Sequence, residues 1–243
     1  EKSIQIQRDL GADLILVFDE CTPYNISKEY TSDSMKRSHR WASRSIEEYK
    51  KNNDENDKQA LYGIIQGSVY EDLRLESIKF NNEQPYFGIA VGGSLGDSTE
   101  MMHNTVSFVM KHLDTDERPV HLLGIGKMVD IFHGVRQGID TFDCVHPTRL
   151  ARHGCALIKG GTKEHIDLTK SKFKDDENTI EDDCECPTCR NNYSRMYIRY
   201  LYRAKEKTSG ILILQHNVWF MNTLMEEIRC GIKKGTLDEV QKK

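Results

Sequence analysis

At 243 residues, with 37% apolar and 30% charged side chains, the chain can form one large domain or two small ones around a buried core. Its net charge of −4 excludes a globally basic nucleic-acid binder, so any contact with RNA or DNA must come from a local patch. No apolar run reaches the length of a membrane span and no leader peptide is recognisable, so a cytoplasmic protein with no membrane partner is expected.

The chain opens EKSIQIQRDLGADLILVF, partway through a helical pattern and without an initiator methionine, and is expected to be the C-terminal portion of something longer. Five apolar runs follow, DLILVFDE (13–20), ALYGIIQG (60–67), YFGIAVGG (86–93), PVHLLGIG (119–126) and TFDCVHP (141–147). Each is nearly continuous in aliphatic residues, as strands buried on both faces are. Helical patterns separate them: SDSMKRSHRWASRSIEEYKK, SVYEDLRLESIKF, STEMMHNTVSFVMKHL and KMVDIFHGVRQG. Strand–helix alternation predicts an α/β fold with a parallel sheet and right-handed crossovers. Asp19, Gln66, Gly93, Gly124 and Asp143 fall at the C-terminal ends of the runs, the edge where parallel sheets and barrels bind ligands.

Beyond residue 160 the sequence turns polar, then reaches CECPTCR. In the helical pattern after it, Tyr193, Met196, Tyr197, Tyr200 and Leu201 fall at i, i+3, i+4, i+7 and i+8 and are expected to form one buried stripe. Arg195, Arg199 and Arg203 recur along another face, which meets RNA phosphate or is simply solvated. A second helix is predicted from about Thr208 to Ile232, and the tail LDEVQKK is expected to fray.

Three of the seven cysteines, Cys184, Cys186 and Cys189, are spaced C-x-C-x2-C. Thiolates this close converge on one soft cation, and His216, in LILQHNVWF, is the best fourth ligand. A structural zinc site is expected; the alternatives are reduced, unliganded thiols or an iron–sulfur cluster that lacks a nearby fourth thiolate. Asp143, between Phe142 and Cys144, is either a nucleophile towards a sugar anomeric carbon or a carboxylate capping loop amides. Asp19 either accepts from an amidine-like base edge or caps the next helix. Gln66 offers an amide donor, and Gly92-Gly93 permits close approach of backbone N–H to a flat ligand.

DECTPY, GIIQGS, AVGGS, LLGIG and GIDTFDCVHPTRLARHG, followed by C-x-C-x2-C and a late HN, resemble the tRNA-guanine transglycosylases in order and spacing over essentially the whole chain. The resemblance implies a (β/α)8 TIM barrel, of which only the C-terminal five or so strands are present, with an inserted zinc-binding subdomain. The expected division is 1–160 barrel, 161–217 zinc subdomain and 218–243 final helix and tail. It implies exchange of guanine at the tRNA wobble position for a 7-deazaguanine (preQ1 or queuine), on the path to queuosine. Asp143 then corresponds to the nucleophile on ribose C1′, Asp19 to the acid gripping the base's N1/N2 edge, and Gln66 and Gly93 to donors to its O6. The Ser94 carbonyl corresponds to the group meeting the 7-substituent, and Gly124 also lies at the base site. Arg149 and Arg152 match residues contacting neighbouring anticodon bases, in a loop after Pro147. Cys184, Cys186, Cys189 and His216 match the ligands of one structural Zn2+. A homodimer is implied. The family's general base lies in an N-terminal half not in this chain, so the chain alone is expected to be inactive. The competing readings are a non-catalytic tRNA-binding or partner subunit, and a glycosidase-type barrel in which the cysteine cluster and arginines have no role.

Overall fold

A computed structural model describes residues 1–51, 59–115 and 118–242. The chain divides into two compact units, Glu1–Asp143 and Cys144–Lys243.

The first unit alternates helix and strand: α1 (Lys2–Asp9), β1 (Leu14–Leu16), α2 (Lys28–Lys51), β2 (Ala60–Ile65), α3 (Glu71–Asn82), β3 (Gly88–Val91), α4 (Thr99–His112), β4 (Val120–Leu122), α5 (Met128–Arg136) and β5 (Thr141–Phe142). All five strands are parallel and lie in the order β1-β2-β3-β4-β5, with Ile15 opposite Leu61, Ile64 opposite Ala90, Ile89 opposite Val120 and Leu122 opposite Phe142. A doubly wound sheet reverses direction at a switch point. Spatial order that follows chain order throughout belongs to a barrel, so the sheet is a five-stranded portion of a TIM barrel.

Burial explains the strands. Ile15, Ile65, Ile89, Val91 and Leu122 are fully enclosed, each contributing roughly 1.5–3 kcal/mol. The helices cover them with stripes at helical spacing, Met35, Ala42 and Ile46 on α2 and Met102, Val106 and Val109 on α4. α4 starts where the Ser98 hydroxyl accepts from Met101 N at 3.2 Å.

His39 adds a pH dependence to the stability of this unit. His39 of α2 stacks on Phe80 of α3 with ring centroids 4.2 Å apart, and its Nε2 lies 3.1 Å from the Ser77 hydroxyl. That hydroxyl accepts from Gln66 N at 3.0 Å, which directs its own proton to a neutral imidazole. Burial pushes His39 from 6.5 down to about 4. The unfolded chain therefore takes up the proton first, so the contribution present above pH 6.5 is lost progressively as pH falls towards about 4. His39→Phe is expected to flatten the fall in urea midpoint across that window; an unchanged acid limb would contradict it.

The second unit contains α6 (His146–Arg152), β6 (Cys155–Leu157), β7 (His165–Asp167), α7 (Pro187–Arg190), α8 (Arg195–Arg203), α9 (Lys207–Lys234) and α10 (Leu237–Gln241). β6 and β7 form an antiparallel hairpin, Cys155 opposite Asp167 and Leu157 opposite His165. Its core gathers Ala151, Ala156, Leu168, Phe173, Ile180, Ile198, Leu212 and Ile213. α9 runs unbroken across positions 217 and 218 and ends at Gly235 in the left-handed region, φ 70°.

Three features differ from what the sequence pattern predicts. The segment after Pro147 is the helix α6 rather than a loop, because proline in the first turn has the φ a helix start needs and lacks only an N–H that would be unpaired there. The tail does not fray entirely: Leu237–Gln241 is helical, and Leu237 and Val240 lie over Gly231 of α9. The stripe on α8 is not buried. Ile198 and Leu201 face inward, whereas Tyr193, Met196, Tyr197 and Tyr200 face solvent, with Tyr200 64% exposed. Successive tyrosine ring centroids are 6.0 and 6.5 Å apart. The rotation of α8 is set by its arginines: Arg195 pairs with Asp176 at 3.2 Å and donates to Ile180 O at 2.9 Å, and Arg199 Nε donates to Lys170 O at 2.9 Å. Those two arginines brace the 170–180 segment and are engaged within the protein; Arg203 remains exposed.

Among the described residues no helix is long and apolar enough to cross a membrane.

Candidate functional site

Because the five strands are parallel, the residues that follow each of them emerge at one edge of the sheet. After β1, β2 and β3 these are Asp19, Gln66 and Gly93. Gln66 Nε2 donates to Asp19 Oδ2 at 2.6 Å. Gly93 has φ +71°, a backbone conformation that favours glycine, and a Cβ there would lie 2.7 Å from Gln66 Oε1 and displace that amide. Burial raises the Asp19 carboxyl above its ordinary value, with the Gln66 bond acting in the opposite sense. Burial likewise raises the neighbouring Cys21 thiol, and the Asp19 charge adds to that effect.

These loops are held from beneath by Arg74 of α3, 1% exposed, whose guanidinium donates to the carbonyls of Ser68 (2.6 Å), Ile65 (3.2 Å), Gly92 (2.8 Å) and Ser94 (3.2 Å). Burial pushes Arg74 down to about 9, which still leaves a cation at neutral pH. One side chain thus fixes the turns after β2 and β3 relative to each other, and with them Gln66 and Gly93. The Ser94 carbonyl takes one of these bonds, and its hydroxyl accepts from Gly96 N at 3.4 Å.

After β4 and β5 come Gly124 and Asp143. Asp143 Oδ1 accepts from Gly124 N at 3.0 Å and lies 3.1 Å from His121 Nε2, while His121 Nδ1 lies 2.8 Å from the Thr141 hydroxyl. A carboxylate only accepts, so Nε2 carries the proton and Nδ1 accepts from Thr141. One oxygen is thereby anchored by two donors. The side chain is 60% exposed, so the other oxygen can meet a ligand. The capping reading of Asp143 finds one loop amide, that of Gly124. Arg149 and Arg152 belong to the second unit, one turn apart on α6, both exposed.

The second unit also brings Cys184, Cys186, Cys189 and His216 together, their ligand atoms all within 4.8 Å of one another. The three sulfurs lie 3.5, 3.5 and 3.6 Å from His216 Nδ1. His216 Nε2 donates to Leu157 O at 2.8 Å, which fixes the proton on that nitrogen and leaves Nδ1 with a lone pair for a metal ion. The next residue, Asn217, clamps the same strand: its amide accepts from Leu157 N and donates to Cys155 O and Pro147 O. A hydrogen bond from Cys189, with His216 alongside, lowers the Cys186 thiol against its burial, whereas burial raises Cys184 and the bond to Cys186 raises Cys189. This donor set can hold a metal ion.

The sequence patterns did not single out Arg74 or His121, and gave Asn217 no role beyond its place in the late HN motif. Arg74 left a faint signal, since Arg74, Ser77, Ile78 and Asn81 form the buried i, i+3, i+4, i+7 face of α3, where an arginine is out of place.

A parallel βα array with carboxylates at its strand ends, and a three-cysteine, one-histidine cluster able to hold a metal ion, define the class as a partial TIM barrel with a candidate metal centre. The chain belongs to the queuine tRNA-ribosyltransferase family, whose model matches residues 1–243. The queuine tRNA-ribosyltransferase of Protochlamydia amoebophila (strain UWE25) is 44% identical over 234 residues, 96% of this chain and 58% of that protein. The chain thus spans less than two-thirds of the length of this relative.

Proposed function

We propose that this chain supplies the base-gripping and nucleophilic parts of a tRNA-guanine transglycosylase, which replaces the wobble guanine of tRNA with a 7-deazaguanine. The observation that carries the reading is Asp143, with Oδ1 fixed by Gly124 N and His121 and the rest of the carboxylate exposed, on the same sheet edge as the Asp19–Gln66–Gly93 cluster.

In this reading the target nucleotide leaves the anticodon stack and its base enters the strand-end site. Asp19 accepts from N1–H and N2–H of guanine, and the Gln66 amide and Gly93 N–H donate to O6. The Asp143 carboxylate attacks ribose C1′; the C1′–N9 bond breaks and its electron pair leaves with guanine, which takes up a proton. The incoming 7-deazaguanine loses its N9 proton, attacks C1′ and expels the carboxylate. Two inversions give net retention. The Ser94 carbonyl faces the 7-substituent, Gly124 holds the nucleophile, and Arg149 and Arg152 hold the flanking anticodon bases. A tRNA substrate makes the cytoplasm the place of work.

The metal is proposed to be one structural zinc. Zn–S bonds of about 2.3 Å and Zn–N bonds of about 2.0–2.1 Å at tetrahedral angles separate S and N by roughly 3.6 Å, which agrees with the 3.5–3.6 Å found here. Four protein ligands leave no open position, so the ion holds the unit together and takes no part in base exchange.

A homodimer is part of the same reading. Its support is the tyrosine face of α8, whose stacked and exposed rings offer an apolar surface to a second copy. Light scattering on the full-length protein is expected to give twice the chain mass, and Tyr197→Glu to lower it; a monomeric wild-type protein refutes the assignment.

The full-length protein, given tRNA with a wobble guanine and radiolabelled guanine, is expected to incorporate label. Stoichiometric tRNA binding without incorporation contradicts the proposal and favours a non-catalytic binding subunit.

A further inference from the structure

The second unit carries a groove of about 910 Å³ lined by the last turn of α6, the end of α8 and the first turns of α9. Four cations line it, Arg152, Arg203, Lys205 and Lys207, against one carboxylate, Glu206. Among the described residues none of the four makes an ion pair, whereas Arg195, Lys159 and Lys170 of the same unit are each paired with a carboxylate. The floor is apolar and aromatic, with Tyr202 seated over Gly154, where a Cβ would come within 3.1 Å of its ring. Lys205 occupies the left-handed position that closes α8, φ 60°, with its N–H bonded to Tyr202 O at 3.0 Å. Glycine fits such a position more easily, so the lysine keeps a cation on the groove at some conformational cost. The α9 N-terminus opens here with no side chain capping its first amides, which adds positive potential.

We propose that this groove is a further RNA-binding element that holds the sugar–phosphate backbone of tRNA. The proposal rests on the tRNA-modifying reading above and extends it beyond Arg149 and Arg152 to Tyr202, Arg203, Lys205 and Lys207. Separated cations on a rim match phosphates, and an apolar and aromatic floor matches ribose and base faces. Continuity supports the same occupant, because Arg152, assigned to the anticodon, also lines the groove. An acidic peptide is the alternative partner, and it would leave the tyrosine floor without a specific role.

The test measures tRNA Kd of the full-length protein over a range of salt, for wild type, for Arg203→Ala/Lys205→Ala/Lys207→Ala, and for a charge-keeping Arg203→Lys/Lys205→Arg/Lys207→Arg protein. Metal content and circular dichroism check the fold of each. Removal of three phosphate contacts is expected to weaken binding about 10- to 100-fold and to lower the slope of log K against log salt by about two to three. The charge-keeping protein is expected to retain the wild-type slope. A triple alanine variant that is folded and has the wild-type slope overturns the proposal, as does a wild-type protein that binds no tRNA. Loss of poly-glutamate binding in the alanine variant with tRNA slope intact would also overturn it and assign the groove to an acidic peptide. Binding is read without turnover, so failed base exchange with a reduced slope sinks the catalytic reading alone, and normal exchange with an unchanged slope sinks the groove alone.

Discussion

Exchange of Cys186 for alanine is expected to remove the metal and unfold the second unit. The side chain has two duties there. It is fully enclosed, its sulfur caps α7 by accepting from Cys189 N at 3.3 Å, and it faces His216 Nδ1 at 3.5 Å. The centre is the junction at which α7, α9 and, through His216 Nε2 and Leu157 O, β6 meet. Structural zinc contributes about 10–16 kcal/mol in small metal-dependent domains, as much as a whole domain's net stability of about 5–15 kcal/mol. Loss of the proposed ion with that thiolate would be comparable to the whole net stability of a unit whose apolar cluster includes Ile180, Ile198 and Ile213. Metal content measured by mass spectrometry should fall from near one ion per chain to a small fraction, and protease should cut within 144–243. Chelation of the wild-type protein should have the same effect, reversed by adding the ion back. A variant with full metal content and an unchanged unfolding midpoint would show that the four residues are not a metal centre.

The second large effect is at the strand end. Asp143→Asn keeps an oxygen that can accept from Gly124 N and His121, so the loop geometry survives while the nucleophilic carboxylate is lost. Base exchange by the full-length protein is expected to drop on the order of 10⁴-fold or more, the scale found when a nucleophile is removed from a covalent mechanism. tRNA affinity should change little, because the cations assigned to binding are untouched. Equal losses in affinity and turnover would instead make Asp143 a structural cap.

Much of this site was legible because chain order and sheet order coincide. Each apolar run that reads as a buried strand hands its next polar residue to the same edge, so Asp19, Gln66, Gly93, Gly124 and Asp143 could be picked out along the sequence and are found at successive strand ends. The cysteine spacing is equally local, and only His216 had to be brought in from 27 residues beyond Cys189.

What stayed hidden depends on distant partners. The rotation of α8 could not be read from its periodicity, because the exposed tyrosines and the buried Leu201 fit one stripe. The bonds from Arg195 and Arg199 to Asp176, Ile180 and Lys170 decide which side turns inward. Arg74 acts on carbonyls of two separate turns, and a sequence pattern shows only that an arginine lies on a buried face. The β6–β7 hairpin is three residues per strand in a polar segment, too short for alternation to register. His121 lies within an apolar run, and its value emerges only when β4 and β5 pair and bring Thr141 and Asp143 beside it.

The central claim is that the Asp143 carboxylate bonds transiently to the ribose of the wobble nucleotide. The most direct test denatures the full-length protein during reaction with tRNA lacking the incoming base, digests the complex and locates the ribosylated peptide by mass spectrometry. A nucleotide ester is expected on Asp143, in the peptide spanning 137–149, and is absent from Asp143→Asn. An adduct mapped to another residue, or one that persists in that variant, would contradict the claim.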